Sequence, residues 1–118
     1  MTPIRLSLVI PAWNEAALLP RLLDSLDVAR RRWIEAGHPA DAIEVILADN
    51  GSTDATSQIA SARGCIVATI EQRMIAAVRN GGAAMASGEI LAFIDADSVI
   101  HPDSFIAIAA AMVNPRTV

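Results

Sequence analysis

An apolar run, Ile90-Leu91-Ala92-Phe93-Ile94, ends abruptly in two carboxylates one residue apart, Asp95 and Asp97. A short continuous apolar run bounded by polar residues reads as a strand buried on both faces. Two carboxylates this close repel each other unless a positive charge lies between them. A hard divalent cation meets that need: Mg²⁺ takes one or two carboxylates and completes its shell with water and substrate phosphate oxygens. The pair therefore predicts a metal–diphosphate site at the end of a central strand. An Asp-x-Asp arises by chance roughly 0.4 times in a chain of this length. Its plain alternative is a solvated turn with a helix cap, and the choice depends on what the rest of the chain brings beside it.

The chain has 118 residues, enough for one domain with a real core. It is 53% hydrophobic and carries a formal net charge of −4. That sign disfavours nucleic acid as a partner. It also repels a free diphosphate, which again points to a metal intermediary. Cys65 is the only cysteine, so neither an internal disulfide nor a cysteine metal cluster can form. It reads as a buried small hydrophobe. The longest apolar run, Phe105 to Val113, is far short of the ~20 residues a membrane span needs. The N-terminus does not read as a signal peptide. The default expectation is a cytoplasmic location, with the membrane surface as a possible place of work.

The elements that must position the carboxylates follow in order. Leu6 to Ile10 is the first strand, closed by Pro11. Asn14 is a plausible N-cap for a helix whose apolar stripe is Leu18, Leu22, Leu26, Ala29 and Trp33, ending near Ala36 before Gly37 and Pro39. Arg30, Arg31 and Arg32 read as its solvated face. Val45 to Ala48 is the second strand. Ser52 or Thr53 then caps a short helix with Asp54 in its first turn. Cys65 to Ile70 is the third strand. A third helix carries Met74, Ala77, Val78, Gly81 and Met85 on one face. Its Gly81-Gly82 pair costs about 1 kcal/mol per glycine, and close packing against the sheet is the plain explanation. Gly88 precedes the fourth strand at Ile90, and His101-Pro102-Asp103 opens a last helix. His38 and His101 read as solvated or capping residues, not metal ligands.

Strand then helix, four times over, predicts an α/β fold: a parallel sheet with helices on both faces. Ligands bind such sheets beyond the carboxyl ends of the strands. Trp13-Asn14-Glu15, Asp49-Asn50 and Asp95-Ala96-Asp97 all occupy those ends and should converge in one crevice. The first strand–helix turn lacks the Gly-x-Gly-x-x-Gly of a dinucleotide fold. The chain also contains no lysine, which excludes a P-loop.

Five segments together resemble the family-2 glycosyltransferases of the GT-A fold: Pro11-Ala12-Trp13-Asn14-Glu15, Asp49-Asn50-Gly51-Ser52-Thr53-Asp54, Arg79-Asn80-Gly81-Gly82, Gly88-Glu89 and Asp95-Ala96-Asp97. The resemblance covers nearly the whole chain. It implies a Rossmann-like, mostly parallel sheet that binds a nucleotide-diphosphate sugar for inverting glycosyl transfer. Pro11, Ala12 and Trp13 would line the base pocket, and Glu15 would approach the ribose. Asp49 and Asn50 would read the base edge. Asn50 stands where many members have a second Asp, and an amide both donates and accepts. Asp95 would face the ribose and the metal, Ala96 would lie between the two carboxylates in the same segment, and Asp97 would ligate Mg²⁺ or Mn²⁺. Arg79 is either a phosphate contact or an exposed helix charge. Val99 occupies the place where some relatives have a metal-contacting Gln.

The family continues through an acceptor-binding half that supplies the catalytic base. The resemblance therefore makes residues 1–118 a single nucleotide-sugar-binding domain, incomplete beside its family, with no base that can be named. It also implies self-association, or a partner covering the surface of the missing half. The alternatives from other classes are a non-catalytic nucleotide-diphosphate-binding module acting through a partner, and a receiver-like signalling domain. The absence of lysine speaks against the receiver-like reading.

Overall fold

The computed structural model describes residues 3–72 and 74–113. Strands β1 (Leu6–Ala12), β2 (Ile43–Asp49), β3 (Ile66–Thr69) and β4 (Ile90–Phe93) alternate with helices α1 (Leu19–Glu35), α2 (Thr56–Ala62), α3 (Ile75–Ala84) and α4 (Ser104–Val113). The sheet order is β3-β2-β1-β4, and every pairing is parallel. Right-handed crossovers dictate where the helices go. Stepping from β1 to β2 to β3 keeps α1 and α2 on one face. Returning across the sheet from β3 to β4 puts α3 on the other.

The period-2 pleat of β1 supplies both cores. Leu6, Leu8, Ile10 and Ala12 point to a core shared with α1, Ala60 and Phe105. Val9 points to a second core with Ile46, Ala48, Ala68 and Val78. The double glycine of α3 follows from that second contact. A Cβ on Gly82 would lie 2.5 Å from Val9 Cγ1 and 3.1 Å from Ala48 Cβ, so only glycine lets the helix approach this closely.

Three expectations are corrected. Asn14 does not cap α1: the helix starts five residues later, with Leu18 at the N-cap and Pro20 in the first turn. The buried stripe is accordingly Leu19, Leu22, Leu23, Leu26, Ala29 and Trp33, and Leu18 is exposed. Ser52 and Thr53 do not cap α2. Asp54 serves its first turn instead, its Oδ1 accepting from Thr56 N at 3.0 Å. Finally, among the described residues β4 lies at the edge of the sheet and not at its centre. Because α3 lies over β1 and β2, Leu91 and Phe93 on the same face of β4 stay 44% and 42% exposed. Gly37 does end α1, in the left-handed region at φ 94°. Cys65 is partly buried against the first core, and burial pushes its thiol up.

The loop that leads into β4 is held by one carboxylate. Glu44 sits opposite Ser7 in the β1–β2 ladder. It accepts from the fully buried Ser7 hydroxyl at 2.5 Å and from Ser87 N at 2.7 Å, while Gly88 N donates to Ser7 Oγ at 2.8 Å. Burial alone raises the Glu44 pKa; the hydrogen bonds from Ser7, Ser87 and Gly88 outweigh it and hold the carboxyl below its ordinary value. A depressed folded pKa stabilises above the unfolded pKa, and that stability is lost as pH falls through the folded one. Urea midpoints measured downward through the carboxyl range should therefore fall, and the fall should be shallower in Glu44→Gln. Glu44→Ala, which leaves Ser7 without its acceptor, should cost about 1–3 kcal/mol.

Candidate functional site

The two loops that follow β1 and β2 are fastened to each other. Asn14 takes a left-handed φ of 51°, which asparagine tolerates better than most residues. Its Oδ1 accepts from Thr53 N at 2.8 Å and Asp54 N at 3.3 Å, and its own N–H donates to Ser52 Oγ at 2.9 Å. Glu15 N donates to Thr56 Oγ1 at 2.9 Å, and Ala16 N to Asp54 Oδ2 at 3.1 Å. Hydrogen bonds, from Thr56 above all, keep the Asp54 carboxyl below its usual value. Asp49 is buried, and its Oδ1 accepts from both the N–H and the hydroxyl of Ser52, at 3.2 and 2.5 Å. The Asn-Gly-Ser-Thr-Asp run is thus chiefly a clamp that fixes loop geometry.

Beside that clamp lies a cleft of about 200 Å³ lined by Pro11, Ala12, Trp13, Asn50, Ile75 and Val78. Trp13 is 48% exposed, whereas Trp33 is buried, stacked on His38 at 3.9 Å and donating to Pro39 O at 2.8 Å. The two tryptophans therefore divide between cleft and core. Asn50 donates from Nδ2 to Ile70 O and to Gln72 O, each at 2.8 Å, and from its backbone N to Ala12 O at 2.9 Å. Of the sequence-predicted residues, Pro11, Ala12, Trp13 and Asn50 come together here. Glu15, Asp49, Arg79, Asp95, Ala96 and Asp97 do not line this cleft. Ile75 and Val78 do, and only Val78 stood out in the sequence, as an inner-face residue of its helix.

Asp95 and Asp97 follow β4, one strand from the cleft. Ile94 N bonds Val9 O at 3.1 Å, Ala96 is buried in the core, and Arg21 donates to Asp97 O at 3.3 Å. Both carboxylates are exposed. The strand order reverses at β1–β4, the switch point beyond which ligands bind in open α/β sheets. Among the described residues no three His, Cys, Asp or Glu side chains gather to hold a metal. Two hard oxygen donors facing solvent suit a cation such as Mg²⁺ that takes its remaining oxygens from water and phosphate. Arg79 places its guanidinium over the Phe93 ring, 5.6 Å from the centroid, on the exposed side of α3. Asp103 pairs with Arg32 at 3.0 Å, and His101 Nδ1 accepts from Asp103 N at 3.0 Å.

A model of glycosyl transferase family 2 matches residues 7–118. The chain belongs to that family. This family-2 chain is 35% identical over 123 residues to validoxylamine A glucosyltransferase of Streptomyces hygroscopicus subsp. jinggangensis (strain 5008), a match covering 93% of the chain and 26% of that protein. Its fold is similar to that of S. aureus TarS 1-349 in complex with UDP, with a TM-score of 0.76 and 27% identity over 93% of this chain and 32% of that one. It is also similar to glucosyl-3-phosphoglycerate synthase from Mycobacterium tuberculosis in complex with Mn²⁺, UDP and glucosyl-3-phosphoglycerate, with a TM-score of 0.74 and 26% identity over 94% and 40%. The family-2 chain therefore spans 26% of the curated relative's length and 32–40% of these structures. Its parallel, Rossmann-like sheet is that of GT-A glycosyltransferases. Among the described residues no helix is long and apolar enough to cross a membrane.

Proposed function

We propose that this chain is the donor-binding domain of a glycosyltransferase, taking a nucleotide-diphosphate sugar with the help of Mg²⁺ or Mn²⁺. One observation carries the reading: an apolar cleft walled by Trp13 and Asn50 opens one strand away from an exposed carboxylate pair, at the switch point of the sheet. The solved structures with UDP and Mn²⁺ support it. The base lies against Trp13 and between Pro11, Ala12, Ile75 and Val78. Asp95 and Asp97 hold the cation, with Asp95 also toward the ribose and Glu15 nearby. When bound, the cation supplies neutralisation of charge on the leaving diphosphate. Inverting transfer also needs a base that deprotonates the acceptor, and that role is left unassigned in this chain.

Titration of intrinsic fluorescence with UDP, with and without Mn²⁺, tests the reading, because Trp33 is buried and Trp13 lines the cleft. Quenching should require the metal. Trp13→Ala should remove the signal, leave the unfolding midpoint nearly unchanged and weaken binding by about 1–3 kcal/mol, the range for base–aromatic stacking. Calorimetric affinity unaltered in that variant would place the base elsewhere.

The partner proposal rests on β4. Its outer edge lacks a neighbouring strand among the described residues, and Leu91 and Phe93 beside it are exposed, Phe93 with the Arg79 guanidinium over its ring. Exposed edges and apolar patches of this kind favour association. Light scattering should find self-association, or a monomer that becomes soluble only with a covering partner. A clean monomer, stable at high concentration, would remove the proposal.

A further inference from the structure

The turn that carries Asp95 and Asp97 is held at its outer end by α1, not by the sheet. Ile94 N donates to Val9 O at 3.1 Å, and Ser98 N closes the turn onto Asp95 O at 3.0 Å. Ala96 is buried in the first core, with Ile94 and Ile100 packed against it. Beyond the turn, Ser25 Oγ accepts from Ile100 N at 3.1 Å. The hydrogen of that hydroxyl goes back along the helix to Leu22 O at 2.7 Å, which leaves a lone pair toward the Ile100 N–H. On either side of this contact, Arg21 donates to Asp97 O at 3.3 Å and Arg32 pairs with Asp103 at 3.0 Å. Positions 21, 25 and 32 are spaced by four and seven residues, which puts them on one face of a helix. Residues 97 to 103 therefore run along a single stripe of α1, and Ser25 meets them near the middle.

From this we infer that Ser25 is a positioning residue for the carboxylate pair: it fixes the backbone that carries Asp95 and Asp97, and so sets how well they hold a divalent cation. The inference rests on reading that pair as the metal site. Without a cation the two like charges repel and push the turn open. A small hard cation in turn demands near-octahedral oxygens at short distance, so a turn that has swung open no longer offers two of them together. The bond from Ile100 N to Ser25 Oγ resists that opening without touching the metal. Arg21 helps, but its substitution would also remove a positive charge beside the pair. Ser25 is uncharged, so its removal changes the hold on the backbone and leaves the local charge as it was.

The test uses the 118-residue chain with two probes: Mn²⁺ alone, followed by the paramagnetic resonance signal of the free ion, and UDP, titrated calorimetrically in Mn²⁺ and in a chelator. Ser25→Ala, checked for a native circular dichroism spectrum, should weaken Mn²⁺ binding by about tenfold or more, as loss of an outer partner of a metal site does, with metal-free UDP affinity scarcely changed. Ser25→Thr should restore most of the loss, because a helical threonine can keep its Oγ1 on the carbonyl three residues back. Mn²⁺ affinity equal in the parent chain and Ser25→Ala would overturn the inference while leaving the metal site standing. Equal losses with and without metal would reduce Ser25 to a tie within the fold and overturn it too. A parent chain that binds no Mn²⁺ would overturn both readings. A measurement on the parent chain needs no variant: if the pinned turn is the form that holds metal, saturating Mg²⁺ should slow hydrogen exchange at the Ile100 amide by about tenfold or more. Exchange there that ignores bound Mg²⁺ would sink the proposal.

Discussion

Trp33→Ala should lower the free energy of unfolding by about 3–5 kcal/mol, the range for truncating a large aromatic in a core. The side chain is 1% exposed, fills the C-terminal end of the α1 stripe, and stacks on His38. Its indole N–H also donates to Pro39 O, which fixes the turn between α1 and β2. The loss therefore combines a cavity with an unpaired carbonyl. Marginal domains have about 5–15 kcal/mol in total, so the variant should sit close to its unfolding threshold at 25 °C. Urea denaturation followed by far-UV circular dichroism checks this, and a midpoint near that of the parent chain would mean the α1–β2 corner can collapse around the gap. The contrast with Trp13→Ala, which should scarcely move the midpoint, distinguishes core from cleft within one residue type.

Asp97→Ala should reduce Mn²⁺-dependent nucleotide affinity by about 100-fold or more, since even outer-shell partners of metal sites cost 10–100-fold. Its carboxylate is exposed and outside both cores, so the fold should be unaffected. The contact that Arg21 makes here goes to the backbone oxygen of Asp97, which the substitution retains. Metal-free affinity should change little between the two proteins. Calorimetry in Mn²⁺ and in a chelator separates these terms, and unchanged metal-dependent affinity would take Asp97 out of the site.

Where hydrophobic spacing was the governing signal, the sequence was readable. The four strand–helix units and their parallel arrangement follow from periodicity and handedness; the inner face of α3 does not match the spacing read for it, since Val78 and Gly82 are buried while Met74 and Met85 are exposed. The start of α1 was not readable, because the side chain that looks like its cap bonds across to Thr53 and Asp54, 39 and 40 positions away in the chain. Capping preferences are local, and the backbone N–H donors of a distant loop override them. The standing of β4 was misread for a different reason. An apolar run of five residues gives no sign of whether a neighbour lies on each side, and α3 packs mainly on β1 and β2, so Leu91 and Phe93 stay exposed even with the Arg79 guanidinium over the Phe93 ring. At the site, Trp13 and Asn50 were legible as residues at strand ends. The commitment of the Asn50 amide was not, since its acceptors are backbone carbonyls that any sequence would supply.

The clamp between Asn14 and the Ser52–Asp54 segment has a consequence for the entropy of ligand capture. Two loops fastened by reciprocal bonds lose their independent freedom when the protein folds, and the cost is met there, once, by the stability of the whole domain. A molecule entering between Trp13 and Asn50 then meets walls that need little further ordering, so more of its contact energy remains as affinity.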